Sequence, residues 1–117
     1  MEGSAGAMRI PLDAIMDEEK FTQYLLKHRP VDDKSRFLAK VGFSLSNWKA
    51  LKDAIAELAR QTDAVEHRRD EYGTYWRCEG QIVGPAGTAS VVLIFQERTI
   101  DGRFRFVTLR PSKRKEK

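Results

Sequence analysis

The spacing of apolar positions changes halfway along the chain. In the front half they recur at helical intervals. Asp17-Glu18-Glu19 places acids where a helix dipole favours them, and Phe21, Tyr24 and Leu25 follow at i, i+3 and i+4. His28-Arg29-Pro30 ends that helix, because proline disfavours helical geometry in the residue before it. Asp32 or Asp33 then caps a short second helix carrying Phe37, Leu38 and Val41, closed by Gly42 in the left-handed region. Ser46 caps a third helix, in which Trp48, Leu51, Ile55 and Leu58 form one apolar stripe.

The back half alternates. Residues 72–83 predict a strand with Trp76, Cys78 and Ile82 on one face and Tyr75, Arg77, Glu79 and Gln81 on the other. Gly84-Pro85-Ala86-Gly87 is a turn. The VVLIF run within 90–98 is apolar on both faces, as expected of a central strand covered on each side. Asp101-Gly102 signals a hairpin, and 103–110 return as the next strand, ended by Pro111. Strict alternation puts Phe104, Phe106, Thr108 and Arg110 on one face, and Arg103, Arg105, Val107 and Leu109 on the other. Helices followed by strands predict an α+β fold, with two to three N-terminal helices packed on one face of a three- to four-stranded antiparallel meander sheet.

At 117 residues the chain fits one domain with a real core. The pattern assigns 1–8 to a disordered leader, 9–111 to the domain and 112–117 to a disordered basic tail, with Met1 or Met8 as the start. The leader has no apolar stretch of the secretory kind, and no run approaches the ~20 residues of a membrane span. The single cysteine, Cys78, excludes an internal disulfide and a cysteine-cluster metal site, so the cytoplasm is the expected location. Charge is uneven. The last fifteen residues carry seven Lys or Arg against Glu116, which leaves residues 1–102 at −2 of the total +4. An end of that kind suits a polyanion such as RNA, whose counterions it would release; the plainer alternative is a solvated tail.

Several residues are candidates for chemistry. Lys34 falls on the stripe of Phe37, Leu38 and Val41, so it either snorkels to water or is held at the core's edge, aimed at an anion. Thr108 and Arg110 continue towards a strand end, where a guanidinium offers a planar fork for phosphate. The alternatives are an ion pair for Arg110 and a plain strand former for Thr108. His28 and His67 are the side chains with an ordinary pKa near neutrality, as an acid or base in metal-independent RNA cleavage requires. Tyr72, Tyr75 and Arg77, with His67 and Arg68 in HRRD and Lys113 and Arg114 in the tail, are candidates for binding a nucleotide by stacking and charge. An ordinary exposed cross-strand pair is the alternative for Tyr75 and Arg77. No histidine pair, acidic cluster or glycine-rich phosphate loop suggests a metal or nucleotide cofactor.

The runs IPLDAIMDEEKFTQYLL, KHRPVDDKSRFLAKVGFSLSNWKAL, EYGTYWRCEGQIVGPAG and RFRFVTLRP resemble a family of small bacterial proteins classed as a domain of unknown function and found in toxin systems. Gly42-Phe43, Tyr72-Gly73 and Thr108 near Pro111 carry the match; Lys34 and Phe37 stand one residue further apart than in the family. The order of elements also looks like the barnase–EndoU–colicin–RelE class of toxin ribonucleases. That resemblance implies metal-independent cleavage of RNA and a small cognate antitoxin or immunity protein. It would make Lys34 a phosphate-binding or proton-transfer residue, with Thr108 and Arg110 beside the phosphate, and it leaves the general base unassigned. The expectation is therefore a toxin-like ribonuclease acting through Lys34, Thr108, Arg110 and His28. The alternative is a non-catalytic protein- or RNA-binding module, or an accessory or immunity-like partner. Oligomeric state is not readable from the sequence.

Overall fold

Four strands pair in the order they occur along the chain, every neighbour antiparallel. A computed structural model describes residues 8–27, 30 and 34–112. Its elements are a π-helical turn at Lys20–Leu25, α1 (Ser35–Ala39), a 3-10 turn at Leu45–Asn47 and α2 (Trp48–Gln61). β1 (Val65–Asp70), β2 (Gly73–Gly84), β3 (Gly87–Arg98) and β4 (Phe104–Pro111) follow. The α+β meander with N-terminal helices is the expected fold, and the count settles at four strands. β1 was not anticipated, because VEHRRD has no apolar alternation to mark it.

The helices cover one face of the sheet. α2 lays Leu51, Ile55, Leu58 and Ala59 against it, and a Cβ at Gly80 of β2 would lie 2.7 Å from Leu58 Cδ1, so glycine lets the helix approach. Trp76, Cys78 and Ile82 of β2 face this layer as predicted, with Val91, Leu93 and Phe95 of β3 beside them. The first helix differs from expectation. Leu26 N–H donates to the Phe21 carbonyl at 3.0 Å, an i→i+5 bond that widens the turn. Phe21, Leu25 and Leu26 share the buried side, and Tyr24, placed there by α-helical spacing, is about half exposed. Gly42 does take a left-handed φ of 98°, closing α1 against Pro85 and Ala86. The cap before α2 lies earlier than Ser46: Ser44 N–H donates to Asn47 Oδ1 at 2.7 Å in a capping box.

Both margins of the domain are pinned. Met8, assigned to the leader, forms a bridge with Ala64, and Ser112, assigned to the tail, donates its backbone N–H to Ser90 at 2.9 Å. Residues 1–7 and 113–117 lie outside the described residues. Between Met8 and the π-turn the chain crosses to the free edge of β4. There Ile15 N–H donates to Phe104 and its carbonyl accepts from Phe106 N–H, both at 2.8 Å.

Two bulges decide what the other face displays. In β1 the pairing slips between Glu66 and Arg68, leaving His67 as the extra residue opposite β2. In β4 it slips between the partners of Ile94 and Phe95, so that Val107 and Thr108 oppose one residue. The alternation expected of β4 therefore fails at Val107. Phe106 and Leu109 both face the core, fully buried, while Thr108 and Arg110 join Arg105 on the open face. The second covered side expected for VVLIF is also absent as a layer. Val92 and Ile94 are 6% and 5% exposed but stand outside the core cluster. Their cross-strand neighbours are Glu79 and Arg110, and Arg77 and Thr108.

Candidate functional site

The register collects five arginines on the open face. Arg68 comes from β1, Arg77 from β2, Arg98 from β3, and Arg105 and Arg110 from β4. Arg68 is held twice. Its guanidinium lies 4.1 Å from the centre of the Tyr75 ring, and its NH1 pairs with Asp70 at 2.9 Å. Asp70 also accepts the backbone N–H groups of Tyr72 and Gly73 at the β1–β2 turn. Against a desolvation that would raise it, the hydrogen bonds from Arg68 and the two amides hold the Asp70 carboxyl below its usual range. Tyr75 is fixed from its other end, where the Gln96 amide N–H meets its hydroxyl at 3.1 Å. Gly73 lets β2 approach β3 closely, since any Cβ there would collide with the Glu97 carbonyl.

Two of the acids on this face pair with arginines, and Glu71 stands at its border. Glu79 accepts the Ser112 hydroxyl at 2.6 Å, Asp70 serves Arg68, and Asp101 lies 3.4 Å from Arg98 Nε. Arg77, Arg105 and Arg110 have no ion pair among the described residues, so the face keeps uncompensated positive charge. His67 registers it. Desolvation and then the charges of Arg110, Arg77 and Arg68 depress its pKa below the ordinary 6.5. The imidazole is therefore neutral at pH 7, with a lone pair able to take a proton.

The sign of this shift gives a test. As pH falls below 6.5 the unfolded chain takes up the proton before the folded one, so stability declines through the window down to the lower folded pKa. An NMR titration of His67, assigned with His67→Gln, is expected to show a midpoint below 6.5 that rises in Arg110→Gln. A midpoint at or above 6.5 would mean the arginines do not act on it.

The structure thus brings Tyr75, Arg77, Thr108, Arg110, His67 and Arg68 to one face, with Tyr72 at its border. Lys34 is elsewhere. It heads α1, whose Leu38 enters the core, and belongs to none of the strands that carry the open face. His28, Lys113 and Arg114 lie outside the described residues. Arg98 and Arg105 are additions. Arg105 was assigned to the opposite side from Thr108 by an unbroken alternation, and the signal for the bulge was the odd step from Phe106 to Leu109 between buried positions. Burial pushes the Cys78 thiol up to about 11, which leaves it inert as a nucleophile. Among the described residues no three His, Cys, Asp or Glu side chains gather as metal ligands, and no helix is long and apolar enough to cross a membrane.

A family model described as a domain of unknown function (DUF6883) matches residues 12–113, most of the chain. No curated protein and no solved structure matched.

Proposed function

The chain belongs to this family of uncharacterised domains, and we propose that its open sheet face binds single-stranded RNA. The observation that carries the proposal is the convergence of five arginines from four strands on one face, three of them without an ion pair among the described residues. Guanidinium groups offer two-pronged donors to phosphates, and Arg77 and Arg110 stand beside the apolar Ile94 and Val92 in the ladder. The exposed Tyr72 at the border adds a ring on which a base can stack. A flat, helix-free face suits a flexible strand that can drape over it.

One observation favours cleavage as well as binding. His67, held neutral among Arg68, Arg77 and Arg110, has what a base for the ribose 2′-hydroxyl needs, with guanidinium groups at hand for the charge that develops on phosphorus. In this form the protein is a metal-independent endoribonuclease, with His67 in the role the sequence left open and Lys34 outside the site. A toxin role and a cognate antitoxin or immunity protein would follow from that activity.

Fluorescence anisotropy of a labelled single-stranded RNA in EDTA, with its length followed on a gel, tests both forms. Four or five phosphate contacts at ~0.7 each give a salt slope of roughly −3. Binding without salt dependence, or none at low salt, overturns the assignment. Binding with intact RNA after long incubation, or cleavage undiminished in His67→Gln, removes the catalytic form and leaves the binding module.

A further inference from the structure

A pocket of about 370 Å³ opens at the border of the arginine face, lined by Tyr72, Gln96, Arg98, Ile100 and Arg105, with Glu71 and Thr99 from the two turns. Its chemistry is unlike that of the rest of the surface. One wall carries the Tyr72 ring and the Ile100 side chain, both large and mainly exposed. Gln96 closes the side towards Tyr75, its amide N–H groups directed to the Tyr75 hydroxyl and the Tyr72 carbonyl. The turns that frame it are tied together, because Thr99 N–H donates to the Tyr72 carbonyl at 3.0 Å.

Arg105 is the residue that asks for a ligand. Its side chain is partly buried, its Nε is enclosed without a hydrogen-bond partner, and no carboxylate pairs with it among the described residues. Arg98 lies in the same pocket but has Asp101. The Arg105 charge is strong enough locally to help burial lower the pKa of Lys20. A guanidinium that is partly desolvated and lacks a counterion has paid the cost of leaving water without recovering it, and an anion would restore the balance. The neighbouring ring and aliphatic chain give that anion a flat, apolar companion.

We propose that this pocket takes a single nucleotide, the phosphate on Arg105 and the base against Tyr72 and Ile100. The proposal rests on the RNA-binding assignment above and adds a defined seat for one residue of the strand at the end of the face. It also predicts binding of a free mononucleotide, which the open face by itself would hold only weakly because its charges are spread over four strands.

Isothermal titration with adenosine 5′-monophosphate, adenosine and inorganic phosphate tests it. The monophosphate is expected to bind at least tenfold more tightly than either fragment. Arg105→Gln should remove most of that advantage while leaving adenosine binding unchanged. Tyr72→Ala, at an exposed site where folding is not at stake, should weaken the monophosphate and adenosine together. Equal binding of the monophosphate and phosphate, or an unaltered isotherm in Tyr72→Ala, overturns the proposal. If the mononucleotide fails to bind while the RNA strand still does, the pocket assignment falls alone; if both fail, the face assignment falls with it.

Discussion

Replacing Phe106 by alanine is expected to cost about 3–5 kcal/mol, the range for emptying a buried phenylalanine site. At this size that lowers the melting temperature by roughly 15 °C or more, or unfolds the protein if it is marginal. Phe106 is fully buried at the junction of three elements. Its ring stacks on Phe21 of the π-turn, with centroids 5.6 Å apart and planes at 12°, and meets Phe95 of β3 edge-on at 5.6 Å. Phe21 continues the contact to Trp48 of α2 at 5.9 Å. Removing the central ring therefore takes packing from helix, turn and sheet at once, and rings already packed on one another leave little room to collapse into the space. Thermal unfolding of Phe106→Ala beside Ile100→Ala, at an 83% exposed position, gives the comparison. A loss below about 1 kcal/mol, near the average for any substitution, would contradict this role.

The largest expected effect on function comes from Arg77→Gln, Arg105→Gln and Arg110→Gln combined. Three phosphate contacts at ~0.7 each remove about 2 from the salt slope, and affinity is expected to fall on the order of a hundredfold or more at low salt. Glutamine keeps part of the stem, so the melting temperature should change far less than in Phe106→Ala. Placement is separated from net charge by Lys40→Gln, Lys49→Gln and Lys52→Gln, which remove three cations from the helical side. Anisotropy titrations at two salt concentrations read both variants. Equal losses from both would reduce the open face to a general effect of charge; no loss from the arginine variant would exclude it as the binding surface.

Much of the fold was legible because its apolar pattern is local. The stripe of α2, the turn at Gly84–Gly87, the hairpin at Asp101-Gly102 and the core face of β2 each follow from spacing or turn chemistry. What escaped depends on pairing. β1 is a strand because β2 offers it an edge, not because VEHRRD has a strand pattern. The π-turn at Lys20–Leu25 shifts the buried set from Phe21, Tyr24 and Leu25 to Phe21, Leu25 and Leu26 through one i→i+5 bond. The candidate site suffered most, since Arg68 and His67 lie on β1 and Thr108 and Arg110 beyond the Val107 bulge. Thr108 and Arg110 share a face, but not the one that unbroken alternation assigned to them. Lys34 was attached to them by resemblance and by its place on an apolar stripe, neither of which specifies a side of the sheet.

The bulge at Val107 also bears on how β4 tolerates changes in length. Deleting that one residue would leave Phe106, Thr108, Leu109 and Arg110 alternating on the faces they already occupy, whereas pairing Val107 into the ladder without a bulge would turn Thr108 and Arg110 inward and Leu109 out to water. Substitutions at Val107 should be mild by comparison, because the position matters as a count more than as a side chain. In any relative built without the extra residue, the polar positions of the final strand would have to stand one place earlier to reach the same surface. Alignment of such chains should therefore open a one-residue gap inside a strand, where gaps are ordinarily penalised, and matching the arginines by column without it would pair outward positions with inward ones.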